Sequence, residues 1–529
     1  MHMPTSKGLF LFLFFCLLEI FSDAQVMVYG DSTKTDSSKF IKILAADKFR
    51  RIKQDSTGNL NLLIGHVQLK QENTLFYCDS AVQNMMTNTI EAFNNIHIKD
   101  GDTINVYSQY LIYRGNLKIA DLNGKVKLTD GKATLTTESL QYDVNAKIGT
   151  YLNNGKLVNK QTTLTSKEGY YYADTKEVYF QNNVKVTDPE FMMLTDTLLY
   201  NINSEVASFI APTTIYDKKS TIRTRAGFYD MKKEMGSFSK RPVIKDSTQT
   251  IIADNIDYDK KSGEGLAQGN ILYKDSSNGI SVISGEAVFN KDKKTVKAYQ
   301  FPLTLIIQDQ DSLYVASDTL YSGVLHTDSS KENKNDTLRF LSAYHHVKIY
   351  GDSLQGKTDS LYYSSVDSIF RFFKDPAIWA KESQITGDTI LLTTKNKKAD
   401  SVFVLENAFS INRTKEGMFN QLKGNNMFGA FADGEIEFLR AKGNSESLYY
   451  LQDDKDSSYM GLNYAMADAI GMKFKKKEIK RISWVNAVKG ITYPMDKIPA
   501  DKKLLKNFKW LEAERPKHLS ELISTPIKK

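Results

Sequence analysis

Gly124-Lys125-Val126-Lys127-Leu128 is followed by the turn signal Asp130-Gly131 and, eleven residues further on, by Tyr142. The first five residues alternate between apolar and polar. A period of two places Val126 and Leu128 on one face of a strand and Lys125 and Lys127 on the other. The same phrase, a Gly, Asn or His followed by alternating apolar residues, recurs at Gly65-His66-Val67-Gln68-Leu69, Asn95-Ile96-His97-Ile98, Asn183-Val184-Lys185-Val186 and His346-Val347-Lys348-Ile349. A second phrase, an acid, a small residue, an apolar residue and an aromatic, recurs at Asp196-Thr197-Leu198-Leu199-Tyr200, Asp254-Asn255-Ile256-Asp257-Tyr258, Asp318-Thr319-Leu320-Tyr321 and Asp359-Ser360-Leu361-Tyr362.

Read as a series, the closing tyrosines are Tyr113, Tyr142, Tyr172, Tyr200, Tyr229 and Tyr258, spaced by 29, 30, 28, 29 and 29 residues. Phe289, Tyr321 and Tyr363 continue them, the last interval stretched by a polar insertion at 327–336. Self-similarity at a fixed period marks stacked units, each burying its face on the next. Asp100-Gly101, Asp130-Gly131 and Asn153-Asn154-Gly155 read as turns between the phrases. Thr, Val, Ile and Tyr throughout, with no sustained helical periodicity over 40–410, argue all-β. About a dozen such units, with two strand layers of ~4.8 Å each, give a body on the order of 100 Å long.

The rest of the chain bounds this picture. Its 529 residues carry 70 basic and 62 acidic side chains, a net charge of +8 that does not by itself point to nucleic acid. Residues 1–24 read as a cleaved secretory signal: Lys7, the apolar run Leu9–Leu18, and Ser22-Asp23-Ala24 before Gln25. The run is too short to span a membrane. Cleavage leaves a charge of +9 and Cys78 as the one cysteine, so no intrachain disulfide is expected.

Together, the export signal and tandem "G-x-V-x-L … D-x-L-x-Y … A" units resemble the OstA/LptA family of periplasmic lipopolysaccharide-transport proteins, which also supplies the N-terminal domain of LptD. The match is best over 40–190, carried by Ala45-Ala46-Asp47, Leu63-Ile64-Gly65-His66-Val67-Gln68-Leu69, Cys78-Asp79-Ser80-Ala81 and Ile90-Glu91-Ala92. Gly424-Asn425-Asn426-Met427 and Gly443–Tyr450 resemble the C-terminal part of long OstA-like proteins. The chain is about three times the length of a compact member.

The resemblance implies an extended β-jellyroll, or β-taco, of ~29-residue repeats whose apolar inside is a groove. Val67, Leu69, Ile96, Ile98, Val126, Leu128, Val184 and Val186 are the lipid-groove candidates, able to hold acyl chains at about 0.8 kcal/mol per methylene. It further implies a non-enzymatic carrier or bridge for lipopolysaccharide or a related glycolipid, in the periplasm and possibly associated with the outer membrane. Its partners would be an inner-membrane export complex and an LptD-like barrel, joined by edge-strand addition. No cofactor, metal or nucleic acid is expected. The alternative is an exported structural or adhesive β-scaffold with a closed core and no lipid.

The expected segments are a signal at 1–24, an OstA-like jellyroll at 25–190, continuing repeats at 191–404, C-terminal OstA-like repeats at 405–500 and a helical tail at 501–529. In that tail Leu504, Leu505, Phe508 and Leu511 share one helical face, Pro516 breaks the helix, and Leu519, Leu522 and Ile523 mark a shorter one. The tail is expected to cap the stack or dock on a partner.

Three motifs invite other chemistry. Gly351–Thr358 fits the phosphate-loop spelling but runs into a second phrase instead of a helix. His345-His346 has no third ligand at metal-site spacing. Lys473–Arg481 is the strongest basic cluster, expected on a solvated strand edge or facing lipid phosphate or an acidic partner. The acids of the second phrase are expected to make side-chain turns to the backbone, with a ladder binding divalent ions as the minor reading.

Overall fold

The computed structural model describes residues 39–523, apart from 55–57, 278, 309–310, 326–338, 353, 396–397, 433–434, 454–457 and 476–477. The signal and the polar insertion therefore lie outside the described residues. Among the described residues forty strands form one antiparallel sheet. Each rung of the sheet is either one long strand, such as Gly58–Gln71 or Ile119–Thr129, or two short ones in line, such as Ile148–Tyr151 with Gly155–Asn159. Every rung is folded over at its middle, which gives two facing walls joined along a spine.

The fold at the spine has a local cause. Alternate rungs pass the corner through two residues of positive φ: Gly65 and His66, Asn94 and Asn95, Gly124 and Lys125, Asn182 and Asn183, His345 and His346, Glu406 and Asn407. Their partner strands spend one residue there, so the register shifts at each corner, as between Ile64 and Val67 opposite Ser80 and Cys78. A left-handed pair opposite one extended residue is a bulge, which bends the strand and sharpens its twist. Gly, Asn and Asp tolerate that region at least cost. At Gly65 a side chain is also excluded by space, since a Cβ would stand 2.2 Å from Asp47 Oδ2. The Gly or Asn of the first phrase thus marks the middle of a strand and not its start. Asn153-Asn154-Gly155 is likewise a corner and not a hairpin turn, because Ile148–Tyr151 and Gly155–Asn159 pair with the same neighbour, Ala133–Asp143.

The acids of the second phrase lock these corners. Asp254 accepts a hydrogen bond from Asn270 Nδ2 at 2.8 Å, Asp318 is 2.8 Å from His346 Nδ1, and Asp388 accepts from Asn407 at 3.0 Å. Asp359 differs in meeting His345 of the preceding rung and its neighbour Ser360; for Asp254, Asp318 and Asp388 the partner is the left-handed residue of the next rung, not the acid's own turn. Asp79 does the same with Asn95 at 2.9 Å.

The walls bury large against small. Tyr142 pairs with Ala120 and Gly149, Tyr171 with Gly149 and Val178, Tyr229 with Ala207 and Gly236, and Tyr258 with Gly236 and Gly265. Each ring lies over a small neighbour, and at Gly265 a Cβ would stand 2.1 Å from the Phe289 ring. Two positions of the tyrosine series are corrected. Tyr171, fully buried, is the inward residue and Tyr172 faces outward; this restores an even spacing of 29 between Tyr142 and Tyr200. Ser322, not Tyr321, occupies the corresponding inward position.

The tail differs from the expected helices. Among its described residues it forms only short 3-10 turns, Ala500–Lys502, Glu512–Glu514 and Leu519–Glu521, joined by irregular chain. It runs back across the outer face of one wall, so it neither forms an amphipathic helix nor caps the end of the stack. Leu505 and Phe508 pack with Phe409, Ile411, Leu448 and Leu462, and Leu522 packs with Leu303 and Ala316. Buried amides fix its path. Gln421 donates to Lys503 O at 3.0 Å and accepts from Leu505 N at 2.8 Å; Gln384 does likewise with Lys509 O and Leu511 N, at 2.7 and 2.8 Å.

Candidate functional site

The eight groove candidates all lie on one wall, hereafter the first wall, at the two inward positions that follow a corner. All are at most 1% exposed. Cross-strand pairing joins them to the intervening rungs as one row: Leu69 to Phe76, Phe76 to Ile98, Ile98 to Val106, Val106 to Leu128, Leu128 to Leu135. Through Val186 and Met193 this row continues, aliphatic or aromatic at every rung, to Tyr273 and Val282. The opposite face of the same strands is polar. Tyr77, His97 and Tyr107 stack there with centroids 5.5 and 4.5 Å apart, and Lys127 lies 5.7 Å over the Tyr107 ring.

The interior is packed. The row belongs to a core cluster with the tyrosines of the second wall. Two hollows of about 520 and 350 Å³ lie elsewhere on the surface, lined by Asp230 and Lys233 and by Thr136 and Lys156 among others, and no candidate lines either.

Where the tips of the two walls meet, polar groups close the mouth. Tyr113 donates to Gln71, Tyr142 donates to Asp100 Oδ2 at 2.7 Å, and Asn159 donates to the Tyr200 hydroxyl at 2.8 Å. Burial pushes the Tyr142 hydroxyl far above the ordinary phenol range, with the Asp100 charge adding to it, so the tyrosine stays a neutral donor. Ion pairs flank these bonds: Glu72 with Lys118 at 2.8 Å, Asp130 with Lys176 at 3.2 Å, and Lys160 with Glu205. At Tyr113, Tyr142 and Tyr200 the inward tyrosine, read from sequence only as a marker of the period, is therefore a closing residue of the mouth. Counting four residues on from each lone corner residue (Glu138, Lys167, Asp196, Arg225, Asp254) would have found it.

The mouth should be sensitive to acid. Burial opposes ionisation of Asp130, but the backbone amides of Ala133 and Lys132 and the Lys176 ammonium outweigh it and hold the carboxyl below its usual range. A carboxylate depressed in the folded state stabilises above its unfolded pKa, about 3.9, and loses that contribution as pH falls through the folded value. Urea midpoints should therefore drop from pH 5 to pH 3, and Asp130→Asn should flatten that drop. An equal slope in the variant would remove Asp130 from this role.

The other motifs take structural places. Lys357, in the strand Gln355–Ser364, pairs with Glu514 of the tail, and no helix follows the Gly351 loop. His345 and His346 form a corner, 3.2 and 2.8 Å from Asp359 and Asp318. Among the described residues no group of three or more His, Cys, Asp or Glu could hold a metal ion. Lys473 and Arg481 face each other in register and are exposed, on neighbouring strands near one tip, while 476–477 between them lie outside the described residues.

The family described as OstA-like protein matches this chain over residues 38–196. No curated protein matches it. Among solved structures it is similar to LptH, described as the LptA homologous periplasmic component of the conserved lipopolysaccharide transport device from Pseudomonas aeruginosa. That similarity has 10% identity over 29% of this chain and 80% of that one, with a TM-score of 0.15.

Proposed function

We propose that the chain, OstA-like over residues 38–196, is a non-enzymatic periplasmic carrier for lipopolysaccharide or a related glycolipid on its way to the outer membrane. One observation carries the reading: the inward row of the first wall stays apolar or aromatic, rung after rung, from Leu69 to Val282, while polar contacts such as Tyr142–Asp100 and Lys176–Asp130 close much of the mouth beside it. Acyl chains entering between the walls would replace wall-to-wall apolar contact with contact of the same kind. The polar bonds of the mouth would be exchanged for bonds to water, whose net cost is only about 0.5–1.5 kcal/mol each. The backbone is continuous through each corner, so separation at the mouth is the low-cost opening. Sugars and phosphates would stay in water.

The stack ends suit edge-strand addition to an inner-membrane export complex and to an LptD-like barrel. Among the described residues Lys42–Ala45 and Lys48–Gln54 pair only with Gly58–Gln71, and leave Leu44 and Phe49 exposed. At the other end Glu478–Val485 and Lys489–Pro494 pair, among the described residues, only with Tyr459–Lys475, and leave Val485 and Ile491 exposed.

The close packing of the eight candidates favours a second reading, a scaffold with a permanently closed core. Photoreactive side chains at Val67, Val126 and Val184, introduced one at a time in cells, separate the two. Adducts with lipopolysaccharide are expected at all three sites. Their absence from every one would leave the scaffold.

A further inference from the structure

The two ends of this sheet are built differently, and the difference bears on where a lipid could travel. Beyond Val282 the inward row changes: Thr304, Gly356, Ser410, Ser447 and Ala465 enter it. Thr304 Oγ1 and Ser447 Oγ are buried without a hydrogen-bond partner, on residues that are 0% exposed. In the same section the outer face of the first wall turns apolar, with Phe409, Ile411, Leu448 and Leu462, and the tail covers it. Large apolar side chains have been added on the outside, and inside the small or hydroxylated residues interrupt a row that otherwise holds Val315, Ile349, Ile378, Ile385 and Leu422. At the junction of the two sections a desolvated ion pair crosses the mouth, Arg339 to Asp275 at 2.6 Å, with side chains 10% and 1% exposed. The main core cluster also gives way here to a second one, between Val315 and Ala343.

From these features we infer that the acyl-holding interior ends between Val282 and Val315, and that the strap-covered section from Arg339 onward carries no acyl chains. The site for the apolar part of an amphipathic lipid is then the interior between about Leu63 and Val282, and the lipid leaves the stack at the junction. Three physical causes act together. The small inward residues leave less apolar surface at their rungs to exchange for an acyl chain. Inward hydroxyls gain nothing from hydrocarbon. The tail ties several rungs of the first wall together from outside, so no one of them can part from the second wall alone without breaking the Gln384 or Gln421 contacts.

The inference rests on the carrier reading, and the experiment separates their failures. Hydrogen exchange of the unmodified full chain, with and without purified lipopolysaccharide, should show lipid-dependent change at inward strands over 60–290 and none over 340–475. In parallel, photoreactive side chains at Ile251, Ile385 and Leu422 should give adducts at Ile251 and about tenfold fewer at the other two. Equal adducts at Ile385, or lipid-dependent exchange over 340–475, would overturn the boundary and leave the carrier. No lipid effect in either measurement would overturn both.

Discussion

Leu128→Asp should break the stack at its rung. Leu128 is 0% exposed and pairs with Val106 on one side and Leu135 on the other. The substitution removes a core side chain, which alone costs about 2–5 kcal/mol. It also leaves a carboxylate among aliphatic groups with no cation inside the wall; an uncompensated buried charge costs a further ~3–5 kcal/mol. Stability in a stacked sheet is close to a sum of neighbour terms, so the loss should be local. Exchange and proteolysis should rise over the rungs around 104–143 while the section beyond 339 keeps its protection, and lipid adducts at Val126 should vanish. Lys127→Asp is the control. Its side chain is exposed on the outer face, over Tyr107, and the change should stay within about 0.5 kcal/mol. Equal effects of the two substitutions would refute the assignment of inside and outside.

Trp379→Ala should loosen the tail. Trp379 is 0% exposed and donates from Nε1 to Gln384 Oε1 at 3.2 Å. Gln384 in turn holds Lys509 O and Leu511 N. Truncating a buried Trp costs about 3–5 kcal/mol, and here it also removes the support of the amide that grips the strap. The variant should unfold earlier in urea, and trypsin should cut faster at Lys503, Lys506 and Lys509. Of the three tryptophans in the chain, Trp484 and Trp510 would remain. Trp510 packs against Phe419 at 5.3 Å, so its emission should shift to the red as the strap frees. Trp379→Phe should recover most of the stability. Unchanged tryptic cleavage in the alanine variant would mean that the strap is held elsewhere.

Most of the inside was legible in the sequence because a strand's period of two is strict. Val67, Ile98, Val126 and Val186 could be assigned to one face without knowing what they faced. Parity fails where the chain offers three adjacent candidates, as in Tyr170-Tyr171-Tyr172; only the distance from the corner at Lys167 selects Tyr171. The first phrase alone does not show that its Gly or Asn is a corner within a strand. Gly and Asn report a left-handed backbone, but not whether the ladder resumes after it. The tail was misread for a related reason. Apolar residues at i, i+1, i+4 and i+7 suit a helix, yet an extended strap touching alternate rungs of a wall produces the same spacing. The missing signal was at the other end of the contact. Ala408-Phe409-Ser410-Ile411 is apolar at three of its four positions, as expected of a strand covered on both faces.

The division of each rung into a tight corner and a free tip says how such a chain can grow. Corners are held by acid-to-neighbour bonds and by glycines with no room for a side chain, so an extra residue there would throw every following inward position to the outside. Tips carry no such penalty. Thr319–Val324 and Arg339–Tyr350 keep their pairing, with Val324 opposite Arg339 and Thr319 opposite Tyr344, although fourteen residues separate Val324 from Arg339. Duplication of a whole two-rung unit, cut at the tips, would lengthen the molecule by about 10 Å without altering any other contact. In evolutionary terms the architecture is a ruler graduated in units of about 29 residues, whose length is set by the number of units.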